Sequence, residues 1–285
     1  MIAILSDIHG NIHALEAVLA DMPSPTEIWV LGDISGGGPF PCEVLDRLMS
    51  LPVPISAIMG NWEEGLIKEK ESSTPPPEGK QFAGPSWSIS MLKPHHWDFF
   101  SKLPRTIRSS SVPGGALLFH GSPDDPSGKV ICQQSAEEVL AKHSEKWLIG
   151  GHSHEFRLFR NKAQTFAGIS SVGWPLDGVG GVASYALLDR DKITFRSVSY
   201  DVDAVIAAMR DGPLATLAPA VTRALAAIAL TGQRYIDGPK GILTFAQDYA
   251  QKRLGHETTE IPPDIWEEVE LLWRPEPWLR EKITW

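Results

Sequence analysis

The chain has 285 residues, 42% of them hydrophobic and 21% charged, with a formal net charge of −9. That balance is the one of a soluble globular protein of one large domain or two small ones, and it excludes a disordered or fibrous chain. No apolar run approaches the ~18 residues of a membrane span. The acidic excess, without any lysine–arginine cluster, argues against long nucleic acid as a partner but leaves a small phosphorylated one open.

The opening stretch is too short for a signal-peptide core and lacks its basic flank. The two cysteines, Cys42 and Cys132, form neither a disulfide framework nor a metal spacing. Free thiols in a reducing cytoplasm are expected.

Residues 1–5 are an apolar run closed at Ser6, which reads as a buried strand. Asp7 and His9 stand two apart just past its end, where an extended segment would aim both side chains the same way. One carboxylate and one imidazole suit a divalent cation such as Zn, Mn or Fe. The competing reading is a helix N-terminus capped by Asn11, with His9 incidental. Apolar residues at 12, 15, 18 and 19 have helical spacing. Residues 27–31 form a second strand ending in Gly32 and Asp33; glycines at 36–38 with Pro39 and Pro41 make a loop, and 42–49 are helical. Residues 55–58 form a third strand that ends in Gly60, Asn61, Trp62 and Glu63.

Residues 71–88 read as a solvated loop from their Pro, Ser and Gly content. Residues 89–103 read as helical around Pro94; His95 and His96, adjacent there, point apart and make a poor metal pair. Residues 116–119 are a strand ending in His120 and Gly121, followed by a loop at 121–134 and a helix at 135–143. Residues 146–149 are a strand ending in Gly150, Gly151, His152, Ser153 and His154. The segments 156–160, 164–168, 182–189 and 192–199 read as antiparallel strands packed as a second sheet. Helical periods follow at 201–211, 215–231, 241–253 and 262–273, the last started by Pro262 and Pro263 and capped on Asp264. Trp266, Trp273, Trp278 and Trp285 crowd the final stretch, which points to packing or to a subunit contact in a homo-oligomer.

Asp7, His9, Asp33, Asn61, His120, His152 and His154 each fall just after an apolar strand. Placed at one sheet edge they could hold two divalent cations, with Asp33 suited to bridge metals ~3.5–4 Å apart. The motifs Asp7-x-His9, Gly32-Asp33, Gly60-Asn61, His120-Gly121 and Gly151-His152-x-His154, in that order, resemble those of the calcineurin-like metallophosphoesterases. The resemblance spans residues 1–200. Ser170 to Gly173, Asp177-Gly178 and residues 183–189 are further similar to the small bacterial and archaeal phosphodiesterase branch.

The resemblance implies an α/β fold, a four-layer αββα sandwich of two mixed sheets over residues 1–200. Residues 201–285 are expected to be a helical extension packed on the same domain. It also implies that Asp7, His9 and His154 ligate one metal, Asn61, His120 and His152 a second, and that Asp33 bridges them. The metals would be two divalent transition ions, Mn, Fe, Zn or Ni. The family's chemistry is in-line attack of a metal-bridging hydroxide on phosphorus, with Asp33, Asn61 and His120 as the catalytic positions.

Many members carry His where this chain has Trp62, and an indole N–H does not titrate in the useful range. The departure favours a small phosphodiester, nucleotide or phosphoanhydride as substrate. Trp62 and Trp174, and beyond them Trp87, are read either as stacking faces for a flat group or as packing residues. Arg157 and Lys129 are the candidate phosphate contacts, and Glu63 a structural contact near the metals. His13, His143 and His256 read as surface or packing residues. Two other readings stay open, a phosphomonoesterase and a non-catalytic scaffold of the same fold; a scaffold would be expected to lack several ligands.

Overall fold

A computed structural model describes residues 1–74, 79–275, 279 and 283. Trp278, Trp285 and residues 75–78 of the segment read as a loop lie outside the described residues. Strand β1 (Ile2–Leu5) leads into α1 (Ile12–Asp21), β2 (Glu27–Val30) into α2 (Pro41–Met49), and β3 (Ile55–Ala57) into α3 (Asn61–Glu71). A 3-10 turn at Lys80–Phe82 precedes α4 (Ala83–Met91) and α5 (Pro94–Phe100). Next come β4 (Thr106–Ser109), β5 (Ala116–Phe119), α6 (Gln133–Leu140), β6 (Trp147–Gly150), β7 (Arg157–Arg160) and β8 (Thr165–Gly168). The hairpin of β9 (Val182–Asp189) and β10 (Lys192–Ser199) is followed by α7 (Val202–Asp211), α8 (Leu214–Leu217), α9 (Pro219–Thr231), α10 (Ile242–Leu254) and α11 (Pro263–Leu272).

The strands form two five-stranded mixed sheets, ordered β10-β9-β1-β2-β3 and β4-β5-β6-β8-β7. In each, three neighbouring strands are parallel, β1, β2 and β3 in one and β5, β6 and β8 in the other. Strand β1 shows why layers form on both faces. Its alternate residues Ile2 and Ile4 join Leu118 and Ile149 between the sheets, while Ala3 and Leu5 pack outward with Leu15, Val18 and Leu45 of α1 and α2. On the far side Leu117, Phe119 and Leu148 pack against Leu140 of α6. The layers run helix, sheet, sheet, helix, as the resemblance implied.

Several local expectations need correcting. Residues 156–199 do not make a sheet of their own: β7 and β8 extend the sheet of β5 and β6, while β9 pairs with β1, Ala3 opposite Leu187. Six consecutive residues of β9 are buried, which suits an interior strand covered on both faces rather than an exposed antiparallel one. The segment 71–88 is not a loop throughout. Residues 80–91 are helical, with Pro85 in the first turn of α4, where its missing N–H costs little. The period at 215–231 is split at Ala218, where Pro219 opens a new helix. Helix α11 starts at Pro263; its N-cap is Pro262, and Asp264 sits in the first turn without a capping role.

The C-terminal helices surround a second apolar cluster that includes Val205 and Met209 of α7, Ala220, Ala224 and Ala227 of α9, and Trp266 of α11. Trp266 and Trp273 are buried there, so packing accounts for both. Among the described residues, no helix is long and apolar enough to cross a membrane.

Candidate metal centre

The strands β1, β2, β3, β5 and β6 all deliver polar side chains from the turns at their C-terminal ends, the edge where open α/β sheets place ligands. Asp7, His9, Asp33, His152 and His154 do so from a backbone with φ of 53°, 48°, 51°, 66° and 57°, a region that side-chain-bearing residues rarely enter. Among the described residues Arg190 is the only other such case outside glycine. Asp7 and His9 therefore do not converge by the alternation of an extended segment; each is turned inward by a left-handed kink. The neighbouring loop holds this strain in place: Asp7 N–H donates to the Gly32 carbonyl at 3.1 Å, His9 N–H to Asp33 at 2.9 Å, and Gly10 N–H to Ile34 at 2.9 Å. Asn11 does cap α1, accepting Ala14 N–H at 3.1 Å, and its amide also donates to the Gly173 carbonyl. Helix capping and convergence of the polar groups thus coexist in one turn.

Three imidazoles are fixed by backbone carbonyls. His9 Nδ1 reaches Gly36 O at 2.6 Å, His120 Nδ1 reaches Leu31 O at 2.6 Å, and His154 Nδ1 reaches Trp174 O at 2.7 Å. A carbonyl only accepts, so Nδ1 carries the hydrogen and, in the neutral ring, Nε2 presents a lone pair. All three Nε2 atoms face the carboxylates: Asp33 Oδ2 lies 3.2 Å from His120 and 3.6 Å from His9, and Asp7 Oδ1 lies 3.2 Å from His154. The other oxygens are engaged elsewhere. Asp33 Oδ1 accepts Trp62 N–H at 2.8 Å, and Asp7 Oδ2 accepts the Ser6 hydroxyl and His152 N–H. Asn61 Oδ1 sits 3.0 Å from His120 Nε2, and the His152 ring centroid is 5.2 Å from that of His120. The structure thus brings all seven sequence-selected residues together.

Burial disfavours every charge here, and mutual attraction restores some of them. For His120 the carboxylates of Asp33 and Asp7 overcome burial and hold the ring up to about 10. Asp7 likewise raises His154 against burial. Burial prevails at His9 and His152, whose pKa values fall. Against burial, His154 and His120 pull Asp7 below the usual carboxylate range, and His120 and His9 pull Asp33 down.

The donor set fits divalent metals. Lone pairs of imidazoles and oxygens of carboxylates point at one another with no hydrogen between the neutral rings and the acids. His9 Nε2 and His154 Nε2 are only 3.3 Å apart, and buried Asp7 Oδ1 has no hydrogen-bond partner. Such an arrangement is stable when a cation, or failing that a trapped proton, sits among them. Within this centre two groups have donor atoms within 4.8 Å of one another, Asp7 with His9 and His154, and Asp33 with His120 and His152. Mixed nitrogen and oxygen donors suit Zn, Mn, Fe or Ni.

Glu63, wholly buried at the start of α3, straps two of these turns together. Its carboxylate accepts N–H bonds from Asp33 and Ile34 at 2.8 Å and from Gly60 at 2.9 Å. Burial and the Asp33 carboxylate push it up to about 7 against those three donors. The carbonyls of Leu31, Gly36 and Trp174 escaped the sequence reading altogether, because a backbone acceptor leaves no mark in residue identity.

Of the weaker candidates, Trp62 borders the centre with its ring edge-on to His9 at 6.0 Å. Trp174 is 2% exposed, packs with the C-terminal helices and borders the cavity that opens from the centre. Trp87 lies on α4 and does not line the cavity that opens from the centre. Lys129 and Arg157 line that cavity, but Arg157 donates to Glu155 and to the Ile131 carbonyl. His13 is half-buried and edge-on to Phe40 at 5.4 Å.

The expectation for His95 and His96 is corrected in its reason. Both Nε2 atoms meet Asp46 Oδ1 at 2.9 Å, so the two neighbours do converge, on a carboxylate brought by α2. The chemistry still opposes a metal there. His96 Nδ1 accepts Lys93 N–H at 3.1 Å, which leaves the hydrogen on Nε2, where it bonds Asp46.

Residues 1–156 match the family model of the calcineurin-like phosphoesterases. The chain is 27% identical over 223 residues to the uncharacterized protein MJ0912 of Methanocaldococcus jannaschii, covering 71% of this chain and 88% of that one. Its structure resembles that of a metallophosphoesterase from Sphaerobacter thermophilus, with a TM-score of 0.68 and 26% identity over 80% of this chain and 98% of that one. The hypothetical protein PH1004 from Pyrococcus horikoshii, 18% identical, shares the fold with a TM-score of 0.69 over 82% of this chain and 100% of that one.

Proposed function

The chain belongs to the calcineurin-like phosphoesterase family and is a metallophosphoesterase, and from that premise we propose that it cleaves a small phosphodiester, a nucleotide or a phosphoanhydride at a two-metal centre. In this reading Asp7, His9 and His154 would hold one cation, Asn61, His120 and His152 the other, and Asp33 would serve both. We take manganese as the working metal and the cytoplasm as the location. Residues 1–200 are read as the catalytic domain and 201–285 as its extension.

When bound, the cations supply Lewis acidity at the phosphoryl oxygens and acidify a water. The protein's own groups do the rest. The carbonyls of Leu31, Gly36 and Trp174 keep three Nδ1 atoms protonated, so that Nε2 stays available as a ligand. Trp62 N–H fixes Asp33 Oδ1 and leaves Oδ2 directed between His9 and His120. The Trp62 indole does not titrate in the useful range and so cannot protonate a leaving oxygen, which supports a substrate whose leaving group is stable as an anion, the phosphate of an anhydride or the acidic alcohol of a diester.

The observation that carries this reading is the convergence of carbonyl-locked imidazoles on two carboxylates. A chromogenic diester, bis(p-nitrophenyl) phosphate, with Mn²⁺ tests it. The wild type should turn over, and Asp33→Asn and His120→Ala should not. Turnover like the wild type in either variant, or none in the wild type with Mn, Fe, Zn or Ni, overturns it. Faster hydrolysis of the corresponding monoester would make it a phosphomonoesterase, and failure to retain any metal would leave a scaffold.

A further inference from the structure

A cavity of about 600 Å³ opens from the metal centre and runs to the C-terminal helices. His9, Asp33, Asn61, His152 and His154 line one end. Across it stand Leu214 of α8, Val221, Leu225 and Ile228 of α9, and Ile242 and Leu243 of α10. Gln81, Gly84 and Pro85 close another side, and this wall is anchored at α11 and the turn before it: Gln81 donates to the Ile261 carbonyl at 2.9 Å, and Lys80 pairs with Glu270 of α11 at 3.1 Å.

Helix α9 is apolar nearly all round. Ala220, Ala224 and Ala227 pack into the C-terminal cluster. Val221 and Leu225 pack against the edge of the same cluster, yet they are only half-buried and line the cavity. Aliphatic side chains held facing a cavity suit an apolar occupant. The two arginines of the wall are already engaged: Arg234 bonds Glu155 at 2.9 Å, and Arg157 bonds the same carboxylate at 2.6 Å, so that among the described residues Lys129 is the cation left facing the cavity. An occupant that is mostly hydrocarbon would suit this aliphatic wall. A nucleobase would need a row of donors and acceptors, and the aliphatic wall does not supply one.

We propose that the substrate is a phosphoester carrying a lipid-like apolar group, with the phosphoryl group at the metals and the hydrocarbon along α8, α9 and α10. This rests on the reading of the centre given above and deepens it. Water adds to phosphorus, the P–O bond to the leaving group breaks, and that group departs as its alkoxide or phenolate and takes up a proton. The hydrocarbon stays on the phosphate.

The test uses p-nitrophenyl diesters that share one leaving group and differ in the retained group: methyl, hexyl or thymidin-5′-yl. From methyl to hexyl, KM should fall roughly tenfold or more while kcat changes little, because buried methylenes contribute binding without chemistry. Leu225→Asp, or Val221→Asn should the first variant fail to fold, should flatten the ratio of the methyl to the hexyl KM toward one. Calorimetric titration of the metal-loaded protein with hexylphosphonate and methylphosphonate reads the same preference without turnover. A KM indifferent to chain length, a lower KM for the thymidinyl ester than for the hexyl ester, or equal affinity for the two phosphonates overturns the proposal. If the diesters are hydrolysed but show no chain-length dependence, this inference alone falls. If none is hydrolysed yet hexylphosphonate binds more tightly, the proposed reaction falls and the apolar site stands.

Discussion

The imidazole of His120 gives its Nδ1 hydrogen to the Leu31 carbonyl at 2.6 Å. That bond commits Nε2 to the metal side, yet without a cation the two carboxylates hold a second proton on the ring up to about pH 10. Metal and proton therefore compete for one lone pair. Loading the apoprotein at pH 7.5 should release about one proton from this ring, seen with an indicator dye in weak buffer. The sign follows from the raised pKa: affinity climbs as pH rises toward 10 and falls below it. Metal uptake without proton release at pH 7.5 would contradict the arrangement.

Asp33 is the residue whose free oxygen lies between His9 and His120. Asp33→Asn should lower kcat/KM by at least about 100-fold, more than the loss typical of an outer partner of a ligand. Elemental analysis should show reduced metal content, with the circular dichroism of the fold unchanged.

Glu63→Ala removes the acceptor of three buried N–H groups, from Asp33, Ile34 and Gly60. Unsatisfied buried donors cost roughly 1–3 kcal/mol each, partly recovered if water enters, so a loss of about 3 kcal/mol is expected in urea titrations. A midpoint unchanged from the wild type would show that the strap is dispensable.

Gly36→Ala should disturb the centre from outside it. A Cβ there would meet the Trp62 ring at 2.2 Å, and the Gly36 carbonyl is the partner of His9 Nδ1. The crowding should cost about 1–3 kcal/mol in stability and weaken metal binding, as thermal melts with and without Mn²⁺ would reveal.

Asp46 should give the fold part of its acid response. Hydrogen bonds from His95 and then His96 hold its pKa at about 2, below the ordinary 3.8. The contribution is thus present above about pH 4 and lost as the pH falls toward 2. At 46% side-chain exposure solvent screening keeps it below about 1 kcal/mol. Asp46→Asn should reduce the shift in denaturant midpoint between pH 5 and pH 2.5, and an unchanged shift would refute the link.

Much of this was legible in the sequence, for definable reasons. The apolar runs that became β1, β2, β3, β5 and β6 stop abruptly at a glycine or a polar residue, so both strand and site residue show in one short window. Partners remote in the chain were not legible. Nothing in residues 182–189 says that they pair with residues 2–4 rather than with β8. Helix α3 was hidden by its polar composition, and its start at Asn61 was read only as a strand ending. The left-handed kinks at five of the candidate ligands were invisible too, since Asp and His tolerate that conformation without demanding it.

The pairing of β1 with β9 has a further consequence. Ala3 waits for Leu187, and at about 5–20 residues per second a ribosome needs roughly ten to forty seconds to make the interval between them. Through that time β1 can rest on β2 but has an open flank on its other side. The turn bearing Asp7 and His9 leaves β1 directly, and His152 and His154 come late in the same interval. Until β9 arrives, the backbone donors and acceptors along one edge of β1 therefore stand open, the kind of edge another strand can pair with.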